Sequence, residues 1–487
     1  MSSLWGEDFV VKSEPVEAKK IVKKISKPKD PTKIVEQALK SKKTTIYERL
    51  AIIKENVYKV LGKHTQTTQV IKTKEEYVEY IDEIIKNGVV AIDTETNNSL
   101  EPLTCKIMGL CLYTPNMKPA YVPINHRDVE SDERFSWQLT EEDIAEQLNR
   151  INSNVLSNPI KIIMHNGKFD YQVIKCTIGV KLNMYWDTMI GAKILDENEK
   201  SAGLKQQYID KIDASQEKYS IDHLFKDVEY ALVEPEVFAL YSAHDALMTY
   251  QLYMWQKERF EIKGHERIYN LFLNIEMPIV EVAAEMELTG VEVDQEYSKR
   301  LSEKYHKQLD MVEKQIHDEL LKYEPQINKW RVTKDATEHP PKARGEGFGK
   351  SKSEQLESPV NIASPTQLAI FLYDILKCPV VDKKKPRGTG EDELKAINNK
   401  LKLPICDLIL EYRGLVKLLN TYIDSIPTLV TQKTGRVHTH FNQYGAATGR
   451  FSSSEPLNLQ NIPSKNKEIR LMFKARDGYT FVGSDYS

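Results

Sequence analysis

Cysteine is scarce in this chain and forms no pattern. Five stand among 487 residues, Cys105, Cys111, Cys176, Cys378 and Cys406, with no Cys-x-x-Cys spacing. An odd count without that spacing argues against a disulfide framework and a zinc site, and for reduced thiols in a cytoplasmic protein. No apolar run approaches the roughly 20 residues that a membrane-spanning helix needs. The first residues, Met1 to Asp8, lack the basic-then-apolar order of a secretory signal, so no membrane partner is expected. Neither sign of charge prevails: 68 Lys and Arg stand against 71 Asp and Glu, a formal net charge of −3. That balance is an average, and local fields decide whether nucleic acid is a partner.

What the chain does have is four carboxylates in telling places. Asp93 and Glu95 follow a short apolar run in Val89-Val90-Ala91-Ile92-Asp93-Thr94-Glu95. Asp170 lies in Asn166-Gly167-Lys168-Phe169-Asp170, and Asp245 in Tyr241-Ser242-Ala243-His244-Asp245. Residues 89–92 read as a buried strand, and its period of two puts Asp93 and Glu95 on one face near the strand's end. Pro235–Phe260 reads as a helix opened by a first-turn proline, so Tyr241 and Asp245 share a helical face. Hard divalent cations take oxygen ligands, and two such ions can clamp the attacking and leaving oxygens of a phosphodiester. Singly, each element is a common surface feature. Three in order, with Asp187 in Tyr185-Trp186-Asp187-Thr188-Met189 between the second and third, are a much rarer coincidence.

In this order the segments resemble the three exonuclease motifs of the proofreading 3′–5′ exonuclease domain of the DNA polymerase I family. The resemblance implies that Asp93, Glu95 and Asp245 hold one Mg²⁺ or Mn²⁺ ion and that Asp93 and Asp170 serve a second. It implies that Tyr241 orients the attacking water and that Asn166 touches the departing strand. It also implies the ribonuclease-H-like fold. The residues point to the same architecture. Stretches 106–114, 120–124 and 160–164 read as strands, Thr140 caps a helix with Ile144, Leu148 and Ile151 on one face, and another helix starts at Lys168. Early strands followed by alternation fit a mixed sheet flanked by helices.

Beyond residue 262 the texture changes. Leu301, Tyr305, Leu309, Val312, Ile316 and Leu320 form one apolar stripe of a long helix. Asn361-Ile362-Ala363-Ser364-Pro365-Thr366-Gln367-Leu368 and Glu411-Tyr412-Arg413-Gly414-Leu415-Val416-Lys417-Leu418 are similar to the thumb, and its junction with the palm, in the same family. Two lysine- and glycine-rich stretches, 342–352 and 383–390, read as flexible basic loops able to follow a duplex backbone. Residues 330–357 read as an inserted solvated loop.

Gly435 to Asn442, Ala447-Thr448-Gly449-Arg450-Phe451-Ser452-Ser453-Ser454, and Asn458-Leu459-Gln460-Asn461-Ile462-Pro463 are similar to the entry of a family A polymerase palm. Arg450 matches the arginine that reaches the minor-groove edge near a primer terminus, where base pairs present similar acceptors. With Asn166, the residues Arg413, Lys417, Arg450, Gln460 and Asn461 form the expected DNA contacts. Leu457 is a departure, standing where the family runs proline directly into asparagine. Residues 481–484 read as a strand delivering Asp485, which matches the first palm carboxylate for the polymerase metals. The family's later palm acid and fingers do not follow. This chain alone is therefore not expected to polymerise, and a C-terminal polymerase fragment joins primer-template DNA and single-stranded 3′ ends as an expected partner.

The expected organisation is α/β. A disordered lysine-rich arm (1–45) and a helical lead-in (46–84) precede a ribonuclease-H-like exonuclease domain with a mixed sheet (85–262). A largely helical thumb (263–434) and an incomplete α+β palm (435–487) follow. No room is left for a 5′ nuclease ahead of the motifs. The activity implied is metal-dependent 3′–5′ proofreading in a bacterial or phage-infected cell, and the alternative is a non-catalytic DNA-holding subunit.

Overall fold

The computed structural model describes residues 45–153, 159–199, 201–214, 225, 228–338, 356–357, 359–446 and 448–484. The arm at 1–44, the loop at 342–352 and Asp485 lie outside the described residues.

Helix α1 (Ile46–Leu61) opens with a reciprocal cap, the Thr45 hydroxyl accepting from the Glu48 N–H while the Glu48 carboxylate takes the Thr45 N–H. After β1 (Gln69–Val70), α2 (Lys74–Asn87) repeats the device with Thr73 and Glu76. It ends at Gly88, whose φ of 68° is the left-handed turn that glycine tolerates. Then come β2 (Val89–Thr96), β3 (Ile107–Tyr113) and β4 (Ala120–Pro123), α3 (Glu141–Ser153), β5 (Lys161–Met164), α4 (Gly167–Thr177), β6 (Met184–Asp187), α5 (Thr188–Leu195), α6 (Leu204–Lys211) and α7 (Pro235–Phe260). The six strands form one mixed sheet in the order β1-β4-β3-β2-β5-β6. β3 runs antiparallel to β2 and β4, while the other pairs are parallel.

Two sequence expectations change here. β2 spans eight residues and stays paired to β3 through Thr96, so Asp93 lies within the strand instead of at its end. The stretch 46–84, expected as a helical lead-in, also carries β1, which pairs with β4, and its helix α1 buries Ile53 and Val57 in the core that α7 closes.

The sheet divides two apolar layers. Val90 and Ile92 face Tyr77, Ile81, Ile144 and Val173 from α2, α3 and α4. Ala91 faces the other layer, with Val237, Phe238 and Ala243 of α7. The period of two therefore turns Asp93 and Glu95 toward α7 and Thr94 toward α4.

An aromatic pile ties this half to the helices beyond residue 262. Trp186 of β6 lies 4.4 Å, centroid to centroid, from Phe272 and 5.5 Å from Phe260. Phe260 and Phe272 stack at 4.9 Å and 20°. Trp186, Phe260 and Phe272 are all buried. Phe272 opens a π-helical turn (Phe272–Glu276) between α8 (Glu266–Leu271) and α9 (Met277–Thr289).

β7 (Val291–Val293) precedes α10 (Gln295–Leu321), which carries the expected stripe: Leu301, Tyr305, Val312, Ile316 and Leu320 are buried and Leu309 partly so. Helix α11 (Glu324–Glu338) then runs through part of the stretch expected to be loop, with Trp330 packed on the thumb core and the Arg331 guanidinium bonded to the Leu356 carbonyl at 2.7 and 3.0 Å. α12 (Pro365–Ala369), α13 (Glu391–Leu401), α14 (Pro404–Leu418) and α15 (Ser425–Thr428) complete the helical part. β8 (Arg436–Val437), β9 (Phe441–Asn442), β10 (Ser452–Ser453), α16 (Lys467–Arg470) and β11 (Phe473–Lys474) lie in the segment expected as palm. A three-stranded sheet, β11-β7-β8, joins residues 291–293, within the stretch expected as thumb, to strands of the C-terminal segment. Among the described residues no helix is long and apolar enough to cross a membrane.

Candidate active site

The site grows from β2. Asp93 faces Cys111 and Glu95 faces Gly109 across the ladder to β3. One ligand atom each from Asp93, Glu95 and Cys111 lie within 4.8 Å of one another. Cys111 is buried, and burial followed by the charges of Glu95 and Asp93 pushes its thiol well up, so it stays protonated. The two carboxylates are thus the ligands offered to a hard ion.

Asp170, in the first turn of α4, is 3% exposed. Its Oδ1 accepts the Thr94 N–H at 2.8 Å and the Thr94 hydroxyl at 2.6 Å. Thr94, turned away from its acidic neighbours, locks α4 onto β2 beside them. Burial pushes the Asp170 carboxyl up to about 7 against those two hydrogen bonds. Asp93 is raised by burial first, then by the charges of Asp170, Glu95 and Asp245, with Lys205 pulling the other way. The other three sequence-selected carboxylates therefore all lie near enough to Asp93 to raise it.

From α7, Tyr241 and Asp245 meet Lys205 of α6. Its ammonium donates to the Tyr241 hydroxyl at 3.1 Å, pairs with Asp245 Oδ2 at 3.3 Å and lies 4.2 Å from the Tyr241 ring centroid. Burial works against the Lys205 charge, but Asp245, Tyr241 and Glu95 outweigh it and its pKa is raised. Burial raises the Tyr241 phenol too, so it remains neutral.

Asp187 plays a structural part. Its carboxylate accepts backbone N–H groups from Asn166 at 3.1 Å, Gly167 at 2.8 Å, Met189 at 2.8 Å and Ile190 at 3.3 Å, joining the starts of α4 and α5. Asn166 has φ 57°, and its side chain lines a cavity of about 240 Å³ between the nuclease and the palm.

One buried and three partly exposed carboxylates, with a lysine among them, suit divalent cations: excess negative charge in a partly desolvated site is stabilised by a bound cation. Among the described residues, Asp93 and Glu95 are the carboxylates close enough together to share a divalent ion.

Comparison with known proteins fits this geometry. Residues 68–257 match the family model described as 3′–5′ exonuclease, and residues 342–487 match that of DNA polymerase family A. The chain belongs to DNA polymerase family A. It is 31% identical to DNA polymerase I of Chloroflexus aurantiacus over 82% of its length and 29% identical to that of Borreliella burgdorferi over 86%. It spans 38% and 40% of those relatives. A thermostable DNA polymerase I from Thermus thermophilus is 36% identical over half of the chain. Among solved structures, the POL domain of Pol1 from M. smegmatis, in complex with DNA primer-template and dNTP, shares the fold at a TM-score of 0.61 and 20% identity. That match covers 85% of this chain and 59% of the other.

The family's polymerase-side positions lie on α14 and in the palm segment. Arg413 of α14 is half-buried and donates to the Thr389 carbonyl. Lys417 and Arg450 are exposed. Gln460 spends its amide on β10 and the residue before it, accepting from the Ser453 N–H at 3.2 Å and donating to the Phe451 carbonyl at 3.0 Å. Asn461 is exposed, with its backbone carbonyl accepting the Tyr422 hydroxyl at 2.8 Å. The loop at 383–390 is less free than its composition implies: Arg387 makes a two-pronged pair with Asp374 at 2.6 and 2.9 Å, leaving Lys383, Lys384 and Lys385 exposed. The additional residue Leu457 is 6% exposed in the palm core, its carbonyl accepting the Thr439 hydroxyl at 2.6 Å. Residues 481–484 form no strand, since no described neighbour pairs with them.

Sequence reading missed Lys205, Cys111 and the bond role of Thr94. Only Thr94 carried a signal, being the residue between the two acids.

Proposed function

We propose that this chain removes nucleotides from single-stranded 3′ ends of DNA, with Mg²⁺ or Mn²⁺ held by Asp93, Glu95, Asp170 and Asp245. The observation that carries the reading is the convergence of these carboxylates from β2, α4 and α7, with Lys205 and Tyr241 beside them. Two bound ions would polarise the phosphodiester and offset the charge that develops as it is cut. The chain's own groups do the rest. Tyr241 stays neutral, and its oxygen accepts from Lys205, so its O–H is left to orient the incoming water. Glu95 and Asp93 are the acceptors positioned for the proton that water gives up. Asn166, at the head of α4, faces the strand that leaves.

Arg450, Lys417, Arg413, Gln460 and Asn461 are proposed to hold primer-template DNA, mainly through phosphate and minor-groove contacts. A polymerase metal site at Asp485 would draw its other acids from further polypeptide, in cis or in trans, and a C-terminal polymerase fragment is the partner that fits. The setting we propose is a bacterial or phage-infected cytoplasm.

Release of mononucleotides from labelled single-stranded DNA tests the nuclease. Asp93→Ala should lower release by at least about 10³-fold while binding stays nearly unchanged, because it removes a ligand shared by both ions. Equal release by the two proteins would leave only DNA holding.

A further inference from the structure

Glu287 of α9 plays no part in the chemistry above, yet it is 4% exposed and surrounded by donors from two other elements. From α4, Lys168 Nζ approaches at 2.6 Å and Gln172 Nε2 at 2.8 Å. From the palm, the Phe441 N–H donates at 2.5 Å and His440 Nδ1 lies at 3.6 Å. Lys168 also donates to the Phe441 carbonyl at 2.7 Å, and the Glu287 carbonyl meets His438 Nδ1 at 2.6 Å. A carboxylate withdrawn from water is tolerated where charge-assisted donors satisfy it. Burial works against the Glu287 charge, but His440 and Lys168 together hold its pKa below the ordinary value.

This knot sits on the wall of the roughly 240 Å³ seam cavity. Asn166, Lys168 and Met189 line it from the nuclease, and Phe441 and Gln443 from the palm. Lys168 and Phe441 are therefore both cavity walls and both partners of Glu287. The volume falls just below the range of about 300 Å³ and upward typical of small-molecule pockets, which suits one flat ring system and excludes a duplex. Phe441 offers a partly exposed aromatic surface on which a base can stack.

We propose that Glu287 is a positioning residue for single-stranded DNA, fixing the spacing of α4 against β9 so that the seam accepts one base of a strand running toward the carboxylates. The direction of that strand rests on the exonuclease reading. Glu287 acts through Lys168 and Phe441 and touches no reacting atom. A purely electrostatic role would give the opposite sign: deleting a negative charge beside two cations should tighten binding of a polyanion.

The test is an anisotropy titration of a 5′-labelled oligothymidylate with the full chain in EDTA, comparing wild type and Glu287→Gln. Single-stranded binding should weaken at least about fivefold with a melting temperature changed by only a few degrees. Manganese-dependent hydrolysis of thymidine 5′-(p-nitrophenyl phosphate), too small to span the seam, should stay within about twofold. Glu287→Asp, keeping the charge, should fall between the two proteins. If Glu287→Gln does not fold, His440→Gln carries the same pair of readouts, with a smaller loss of binding expected. Unchanged or tighter binding overturns the proposal, as does equal loss of binding and small-substrate hydrolysis. A wild-type chain that binds DNA but releases no nucleotide would sink the exonuclease reading instead, and the binding ratio would still decide the role of Glu287.

Discussion

Thr94 supplies two of the bonds that hold a third acid beside its two neighbours in the chain. Removing its hydroxyl in Thr94→Val leaves one N–H on a buried carboxylate, so we expect a loss of about 1.5–3 kcal/mol in urea unfolding, the range for hydrogen bonds to charged groups. Lys205→Met should lower nucleotide release by roughly 10²-fold, since the phenol and Asp245 lose the ammonium that orients them. Release intact in that variant would assign Lys205 to charge balance alone. At this scale the acids were legible because strand alternation and helix spacing are local rules: Asp93 with Glu95, Tyr241 with Asp245. Lys205 was not, since its partners lie 36 and 40 residues on and only the docking of α6 against α7 brings them near.

Elements divide in the same way. The caps at Thr45, Thr73 and Thr140 and the stripe along α10 were readable from a few adjacent residues. The length of β2 was not, because charged residues end a strand in isolation but continue it when β3 supplies a ladder. That ladder depends on close packing at Gly109, where an added methyl would lie 2.4 Å from the Tyr121 ring. Gly109→Ala should cost about 1–3 kcal/mol by overpacking, measured as a fall in the urea midpoint, and it should lower nuclease activity because Glu95 stands directly across the ladder. Helix α11 escaped notice because its polar sequence, with one buried isoleucine, Ile327, reads as solvated chain until the thumb core is present to receive it.

For the molecule as a whole, the order of parts was visible in the motifs, whereas the joints between them were not. β1, β7 and the Glu287 knot each link residues far apart in the chain, and no window of sequence displays such pairings. The knot has a pH signature. His440 faces Glu287 of α9, Glu101 of the β2–β3 loop and Lys168 of α4; the bond to Glu287 raises its pKa above 6.5 against burial, and Glu101 adds to the rise while Lys168 opposes it. A raised histidine pKa means that its contribution is full below the unfolded value and is lost as pH climbs through the folded one. The stability difference between wild type and His440→Gln should therefore shrink from about pH 6 to pH 9, as read from urea midpoints. A difference constant across that range would place His440 outside the joint.

The packing of Trp186 against the stacked pair Phe260 and Phe272 settles where scissors can and cannot go. Severing the polypeptide at 262, the natural-looking end of the nuclease, strips Phe272 from both rings and leaves greasy flat surfaces facing water. A stand-alone proofreader would have to retain the next two helical turns as a lid, or be recovered from inclusion bodies.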